Sequence, residues 1–410
     1  MKAFDKASGV SLLQADLKNG PLPKECADLT PEKAARVLRF HRSLPFYRPT
    51  PLVALRGLAK QLGVRGIYVK DESKRFAEFG LNAFKGLGGI FAVGQVICQE
   101  LGLDPDEADF ALLTSPEVRE KTKDMVFITT TDGNHGRGVA WAAHQYGCRS
   151  YVYMPKGSAQ SRVDAIKRVG AEECTVTDMN YDDTVAYTAR LAAEKGWHLV
   201  QDTAWEGYED IPARIVRGYT TLGREALDQL AEAGETAPTH VFLQAGVGSF
   251  AGSIMGYYAQ VLDRRPAFVC VEPTEVACFY HSAEVNDGAP HGVLSAESTI
   301  MAGLNCGNPS IGVWPIVRDL CEFYIACDDD VTEQGMRRYD APVADDPAVV
   351  SGESAAVGLG LVERFMTDPA LAEQKKALGL DENSVILLTS TEGATDPADY
   401  ERVVGHPANM

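Results

Sequence analysis

The stretch from residue 125 to 200 restricts the fold more than any other part of the chain. Four short β-branched or aromatic runs (125–131, 150–154, 174–177 and 197–200) are separated by helical patterns at 136–146, 160–169 and 184–195. Strands joined through a helix return in the same direction, so this alternation predicts βαβ units and a parallel sheet. It resumes after 205 with a helix over 212–233, a strand at 240–244, a helix over 250–262 and a strand at 267–272. A helix over 354–366 and a buried strand at 384–390 (SVILLTS) follow near the end. Upstream, 31–42 reads as a helix opened by proline, 52–62 as helical, 66–70 as a strand, and the chain from 82 as helical again. Residues 103–123, acidic and broken by Pro105 and Pro116, read as an irregular insertion or loop. A chain of 410 residues exceeds one hydrophobic core. The expected class is α/β, with a large domain of 1–94 plus 206–410 and a smaller α/β domain of 95–205.

Charge narrows the partners. The chain carries 39 Lys+Arg against 57 Asp+Glu, a net charge of −18. Nucleic acids and anionic membranes select basic faces, so neither is expected as a partner. A small-molecule substrate is. The nine cysteines are scattered, odd in number and without a CxxC pair, which fits reduced thiols in the cytoplasm rather than a disulfide framework or a metal site.

Three motifs carry chemistry. Gly246-Val247-Gly248-Ser249-Phe250-Ala251-Gly252 follows an apolar strand and opens a helix. Glycines let the chain turn tightly so that several N–H groups face one anion, and the helix N-terminus adds positive partial charge. The motif therefore reads as a phosphate cradle. With Glu272 ending the next strand, it also fits a dinucleotide fingerprint. The second motif, Asn82-Ala83-Phe84-Lys85-Gly86, places a lysine among glycines, with room for a bulky group on its amine. A desolvated lysine can form a Schiff base. The third, Thr129 to Gly138, lies at a strand end and a helix start. Thr130, Thr131 and the turn N–H groups suit a carboxylate, and Asp132 is an acid inside an anion-binding turn, a candidate for a shifted pKa.

In this order the three motifs resemble the fold-type II pyridoxal-phosphate enzymes, the tryptophan synthase β-like group, over about 50–392. The resemblance implies two open twisted α/β domains with pyridoxal 5'-phosphate between them. Lys85 matches the lysine that binds the cofactor covalently, Asn134 the residue that hydrogen-bonds its phenolic oxygen, and Gly246, Val247, Gly248 and Ser249 the phosphate loop. Glu353 matches a residue lining the cofactor face. Ser390, with Thr391 as the other register, matches the hydroxyl at the pyridine nitrogen. Many members have Ser where this chain has Asp132. The run Asp132 to Gly138, together with 201–208 (QDTAWEGY) and 301–307 (MAGLNCG), is similar to the diaminopropionate ammonia-lyase subfamily.

That similarity implies elimination of 2,3-diaminopropionate to pyruvate and two ammonia, on D and L forms. Lys85 and Asp132 would serve as bases toward opposite Cα configurations, Asp202 as a further acid, and Thr130, Thr131, Asp132 and His135 as substrate contacts. A homodimer is implied by relatives. Cys278 and Cys306 flank segments placed at the active-site mouth, where a reversible disulfide is conceivable chemistry. The competing readings are a serine or threonine dehydratase, and an NAD-dependent oxidoreductase built on Gly246–Ala251 and Glu272.

Overall fold

The computed structural model describes residues 1–17, 20–295 and 297–408. The chain forms two compact units. The first comprises 1–30, 50–74 and 222–410, and the second 31–49 and 75–221.

The first unit is built on an eight-stranded sheet in the order β1-β2-β11-β10-β9-β12-β4-β3. Its strands are β1 Lys2–Ala7, β2 Val10–Gln14, β3 Leu52–Ala54, β4 Gly66–Asp71, β9 His240–Gln244, β10 Ala267–Pro273, β11 Phe323–Cys327 and β12 Val385–Ser390. The middle of the sheet, from β11 to β4, is parallel. Antiparallel strands extend both sides, β2 and β1 on one and β3 on the other. β9 and β12 are buried along their whole length, as a parallel strand covered on both faces must be. Ile67, Val69, Phe242, Val271, Ile325, Ile386 and Leu388 form the centre of its core.

The second unit carries a four-stranded parallel sheet, β7-β6-β5-β8, from β5 Val126–Thr130, β6 Arg149–Met154, β7 Glu173–Val176 and β8 His198–Leu199. The alternation in the sequence predicted these strands and the helices between them.

Several local expectations change. The helix expected over 52–62 is a strand, Leu52–Ala54, followed by a helix, Arg56–Leu62. The helix expected over 212–233 is two, Asp210–Gly218 and Thr220–Glu232. The stretch 103–123 is not irregular. It holds helices Phe110–Leu113 and Pro116–Thr122, whose N-caps Asp109 and Ser115 accept from Leu112 N–H at 2.8 Å and Val118 N–H at 3.4 Å. β1, β2 and β11 have no counterpart in the sequence pattern.

The units divide the chain at 74/75 and 221/222 rather than at 94/95 and 205/206, and 31–49 joins the second unit. The reason is the helix Lys85–Leu101, whose glycines allow backbone approach to the helix Asn134–Tyr146. A Cβ on Gly89 would meet the Gly138 carbonyl oxygen at 2.9 Å, and one on Gly138 the Lys85 carbonyl oxygen at 3.1 Å. Among the described residues, no helix is long and apolar enough to cross a membrane.

Candidate active site

The second unit gathers most of the reactive side chains. Lys85 is the first residue of its helix. Its Nζ lies 2.5 Å from Asp202 Oδ2, with side-chain exposures of 18% and 4%. Asp202 follows β8, and the same oxygen stands 3.6 Å from His135 Nδ1. Burial alone would raise the Asp202 carboxyl, but His135 and the Lys85 ammonium outweigh it and bring it down to about 2. His135 is itself pushed down by burial. At neutral pH the Lys85 ammonium is therefore the positive partner. The Lys85 neighbours Gly86 and Gly88 do not make room around the amine, as the sequence suggested. They admit Phe76 and Tyr219, which a Cβ would meet at 2.8 and 2.6 Å.

Asp132 stands in the turn after β5, part of its surface still open. Burial raises its carboxyl to about 7; the Arg162 guanidinium opposes the rise, and the Asp202 carboxylate adds to it. Two carboxyls in one unit are thus driven apart, one firmly ionised and one near neutrality.

The neighbouring turn residues divide their work. Thr130 is fully buried, and its hydroxyl donates to Thr188 Oγ1 at 2.8 Å and Thr184 O at 3.2 Å. That ties β5 to the helix Tyr181–Lys195 and turns the expected substrate contact into a packing contact. Thr131 Oγ1 accepts from Gly133 N–H at 2.8 Å and shapes the turn. Asn134 Oδ1 accepts from Arg137 Nη2 at 2.6 Å, which fixes which end of the amide carries its donors.

In the first unit, β9 runs into Gly246-Val247-Gly248 and the helix Ser249–Val261. Gly248 has φ +92°, and a Cβ there would meet the Phe279 ring at 2.2 Å. A Cβ on Gly246 would meet the Gly303 carbonyl oxygen at 2.9 Å. The 301–307 motif thus packs directly on the loop. Gly248, at the N-cap position, has no side chain of its own to cap this helix. Ser354 Oγ accepts from Gly303 N–H at 2.9 Å, which brings the segment bearing Glu353 to the same place. Glu353 is buried, its Oε1 without a partner, and burial followed by Glu392 raises its carboxyl to about 8.

The two hydroxyls at the end of β12 differ. Ser390 Oγ donates to Ser351 Oγ at 2.9 Å. Thr391 Oγ1 accepts from Gln244 Nε2 at 3.1 Å, so its own proton remains available to donate.

Glu272 accepts from Phe279 N–H at 2.9 Å and Tyr280 N–H at 2.8 Å. It caps the helix Cys278–Val285 from a buried position, which removes it from the ribose role the dinucleotide reading required. Cys278 and Cys306 are buried free thiols, and Cys278 Sγ donates to the Cys306 carbonyl at 3.6 Å.

The model of the family described as pyridoxal-phosphate dependent enzyme matches residues 44–389. The chain belongs to this family. It is 51% identical over 370 residues, 90% of this chain and 91% of the relative, to a diaminopropionate ammonia-lyase of Salmonella typhimurium strain LT2. Its fold matches the holo diaminopropionate ammonia lyase of Escherichia coli with a TM-score of 0.88 at 44% identity, covering 98% of both chains. It matches that enzyme in complex with an aminoacrylate-PLP azomethine reaction intermediate with a TM-score of 0.87, again at 44% identity and 98% of both chains.

The residues present fit pyridoxal phosphate. Gly246 and Gly248 leave no space for a Cβ, and their loop opens a helix of 13 residues whose first N–H groups suit a phosphate. Glu353 Oε1 and the Thr391 proton are polar groups awaiting a partner. A third is the Tyr219 hydroxyl, buried and unpartnered in the second unit, whose pKa burial raises while the Lys85 charge draws it down. Sequence reasoning missed Tyr219, because only the helix packing at Gly88 brings it to Lys85. It also missed the hydrogen bonds of Gln201.

Proposed function

We propose that this chain is a pyridoxal phosphate-dependent lyase that converts 2,3-diaminopropionate and water to pyruvate and two ammonia, acting on D and L forms. The observation that carries the reading is the pair of carboxyls of opposite character, Asp202 ionised against Lys85 and Asp132 held at about 7. Environments that push two titratable groups apart assign them different parts in proton transfer.

Lys85 would hold the cofactor through its carbonyl carbon, and the loop from Gly246 to Ser249 would take its phosphate. The bound cofactor supplies the electron sink for the Cα–H bond. Thr391, in preference to Ser390, would donate to the ring nitrogen, and Asn134 would donate to the phenolic oxygen. The turn after Thr131 takes the substrate carboxylate. Asp132, with a pKa matched to neutral pH, removes the Cα proton of one enantiomer, and the Lys85 amine removes that of the other. Asp202 supplies negative charge for a β-ammonium, a group that serine and threonine lack. The β-nitrogen leaves protonated, and hydrolysis of the remaining enamine gives pyruvate and the second ammonia. We place the protein in the cytoplasm as a homodimer; the nine buried free thiols support a reducing compartment.

The test is pyruvate and ammonia release from D- and L-2,3-diaminopropionate, with serine and threonine as comparators. Asp132→Asn should lower kcat at least 100-fold, roughly, on one enantiomer and far less on the other. No pyruvate from either form with the cofactor-loaded protein would overturn the reading, and equal loss on both would remove the two-base assignment.

A further inference from the structure

Asp202 and His135 owe their placement to an irregularity at the end of β8. In a regular parallel ladder, one residue donates its N–H to one carbonyl of the neighbouring strand and accepts at its own carbonyl from the N–H two residues further on. Val200 makes the first of these bonds, N–H to the Ile128 carbonyl at 2.9 Å. The second would run from Thr130 N–H to the Val200 carbonyl. It is not formed.

Thr130 N–H instead donates to Gln201 Oε1 at 3.0 Å, and Thr129 Oγ1 donates to the same oxygen at 3.0 Å. The Val200 carbonyl, released from the ladder, accepts from His135 Nε2 at 2.8 Å. A carbonyl only accepts, so Nε2 carries a proton, and in the neutral ring Nδ1 is the bare nitrogen, 3.6 Å from Asp202. The rest of Gln201 is also engaged. Its Nε2 donates to Tyr181 OH at 3.1 Å, and its backbone N–H donates to Tyr208 OH at 2.9 Å. Tyr208 OH in turn donates to the Leu199 carbonyl at 2.8 Å. β8 is the edge of its sheet, so the phenol stands where another strand would pair. Gln201 is fully buried and cannot exchange these partners for water.

We infer that Gln201 is a positioning residue. Its side-chain amide replaces one rung of the ladder, frees the Val200 carbonyl to set the His135 tautomer, and fixes Asp202, the next residue, against Lys85. The same oxygen pins Thr129 and Thr130, the strand end that leads into Asp132. One side chain thereby registers both acids of the site. Only the kinetic consequence rests on the lyase reading; the tautomer does not.

The test uses the cofactor-loaded protein labelled with ¹⁵N-histidine, the His135 signals being identified by their loss in His135→Gln. The wild type should show His135 as the Nε2–H tautomer. In Gln201→Leu, Thr130 N–H has no acceptor but the Val200 carbonyl, so His135 should lose its acceptor and its signals should move toward a tautomer mixture. Gln201→Glu keeps an acceptor for Thr130 N–H and should keep the Nε2–H tautomer. With diaminopropionate, Gln201→Leu should lower kcat about tenfold to a hundredfold, with KM changed far less, as expected when reacting groups are misplaced. If Gln201→Leu does not fold, Tyr208→Phe, which removes only the hydroxyl bridging Leu199 and Gln201, should shift the signals in the same direction. An unchanged His135 tautomer in the folded variant would overturn the inference, whatever its melting temperature. If the wild type releases no pyruvate, the lyase reading fails and the tautomer shift still decides the role of Gln201.

Discussion

The Lys85–Asp202 pair can be measured directly by a double-mutant cycle on cofactor-free protein, in which Lys85 keeps its amine. Asp202→Asn preserves shape and removes the charge that faces Nζ at 2.5 Å. Breaking a buried pair from one side leaves an uncompensated charge and costs about 3–5 kcal/mol. Lys85 limits this, since it can release its proton instead, at a cost of about 4–5 kcal/mol at pH 7 from an ordinary lysine pKa. Its 18% exposure lowers the figure further, so about 3 kcal/mol is expected. If the second unit melts on its own, that corresponds to a fall of about 6–12 °C for a domain of its size. Lys85→Met should also destabilise, by leaving Asp202 unpaired. The double variant should lose less than the sum, with a coupling of about 2–3 kcal/mol.

The pH dependence has a defined sign. Asp202 is lowered to about 2 in the folded protein, from an ordinary value near 4. The unfolded chain therefore binds the proton first, and the pair's contribution is complete above about pH 4 and lost as pH falls toward 2. Thermal or denaturant unfolding at pH 7, and again between pH 2 and 5, measures both effects. Additive losses in the cycle would refute the pairing.

Two further outcomes follow from the first unit. Gly248→Ala forces a side chain into φ +92° and against the Phe279 ring, so pyridoxal phosphate affinity should fall at least tenfold, roughly, by fluorescence titration. Glu272 is raised to about 8 by burial, so the folded state retains its proton and stability should decline as pH rises from about 4.5 to 8. Glu272→Gln should flatten that decline in pH-dependent melting curves; an unchanged slope would show that another group causes it.

Much of the site was legible because its chemistry is local. Lys85 at a helix start, Asp132 and Asn134 in a strand-to-helix turn, and the glycine loop at 246–248 each announce themselves within a few residues, because backbone turns and helix termini are short-range features. The sequence was less informative where two distant segments meet. Glu272 kept a competing dinucleotide reading open in the sequence, and the N–H groups of Phe279 and Tyr280 that it accepts from close it. Thr130 looked like a substrate contact until Thr184 and Thr188 took its hydroxyl. Ser390 and Thr391 could not be told apart, since one residue along a strand reverses the face a side chain occupies.

By itself, the sequence determined the parallel α/β class and the order of the motifs, because periodicity and turn chemistry act over short spans of chain, while the cofactor followed from the resemblance of the ordered motifs to a known family. Only the tertiary structure decided which unit owns Lys85, why its neighbours are glycines, and that the Asp202 carboxyl is drawn down while burial pushes the Asp132 carboxyl up. Those outcomes depend on burial and on charges brought together from residues 85, 132, 135 and 202, and no spacing along the chain encodes them.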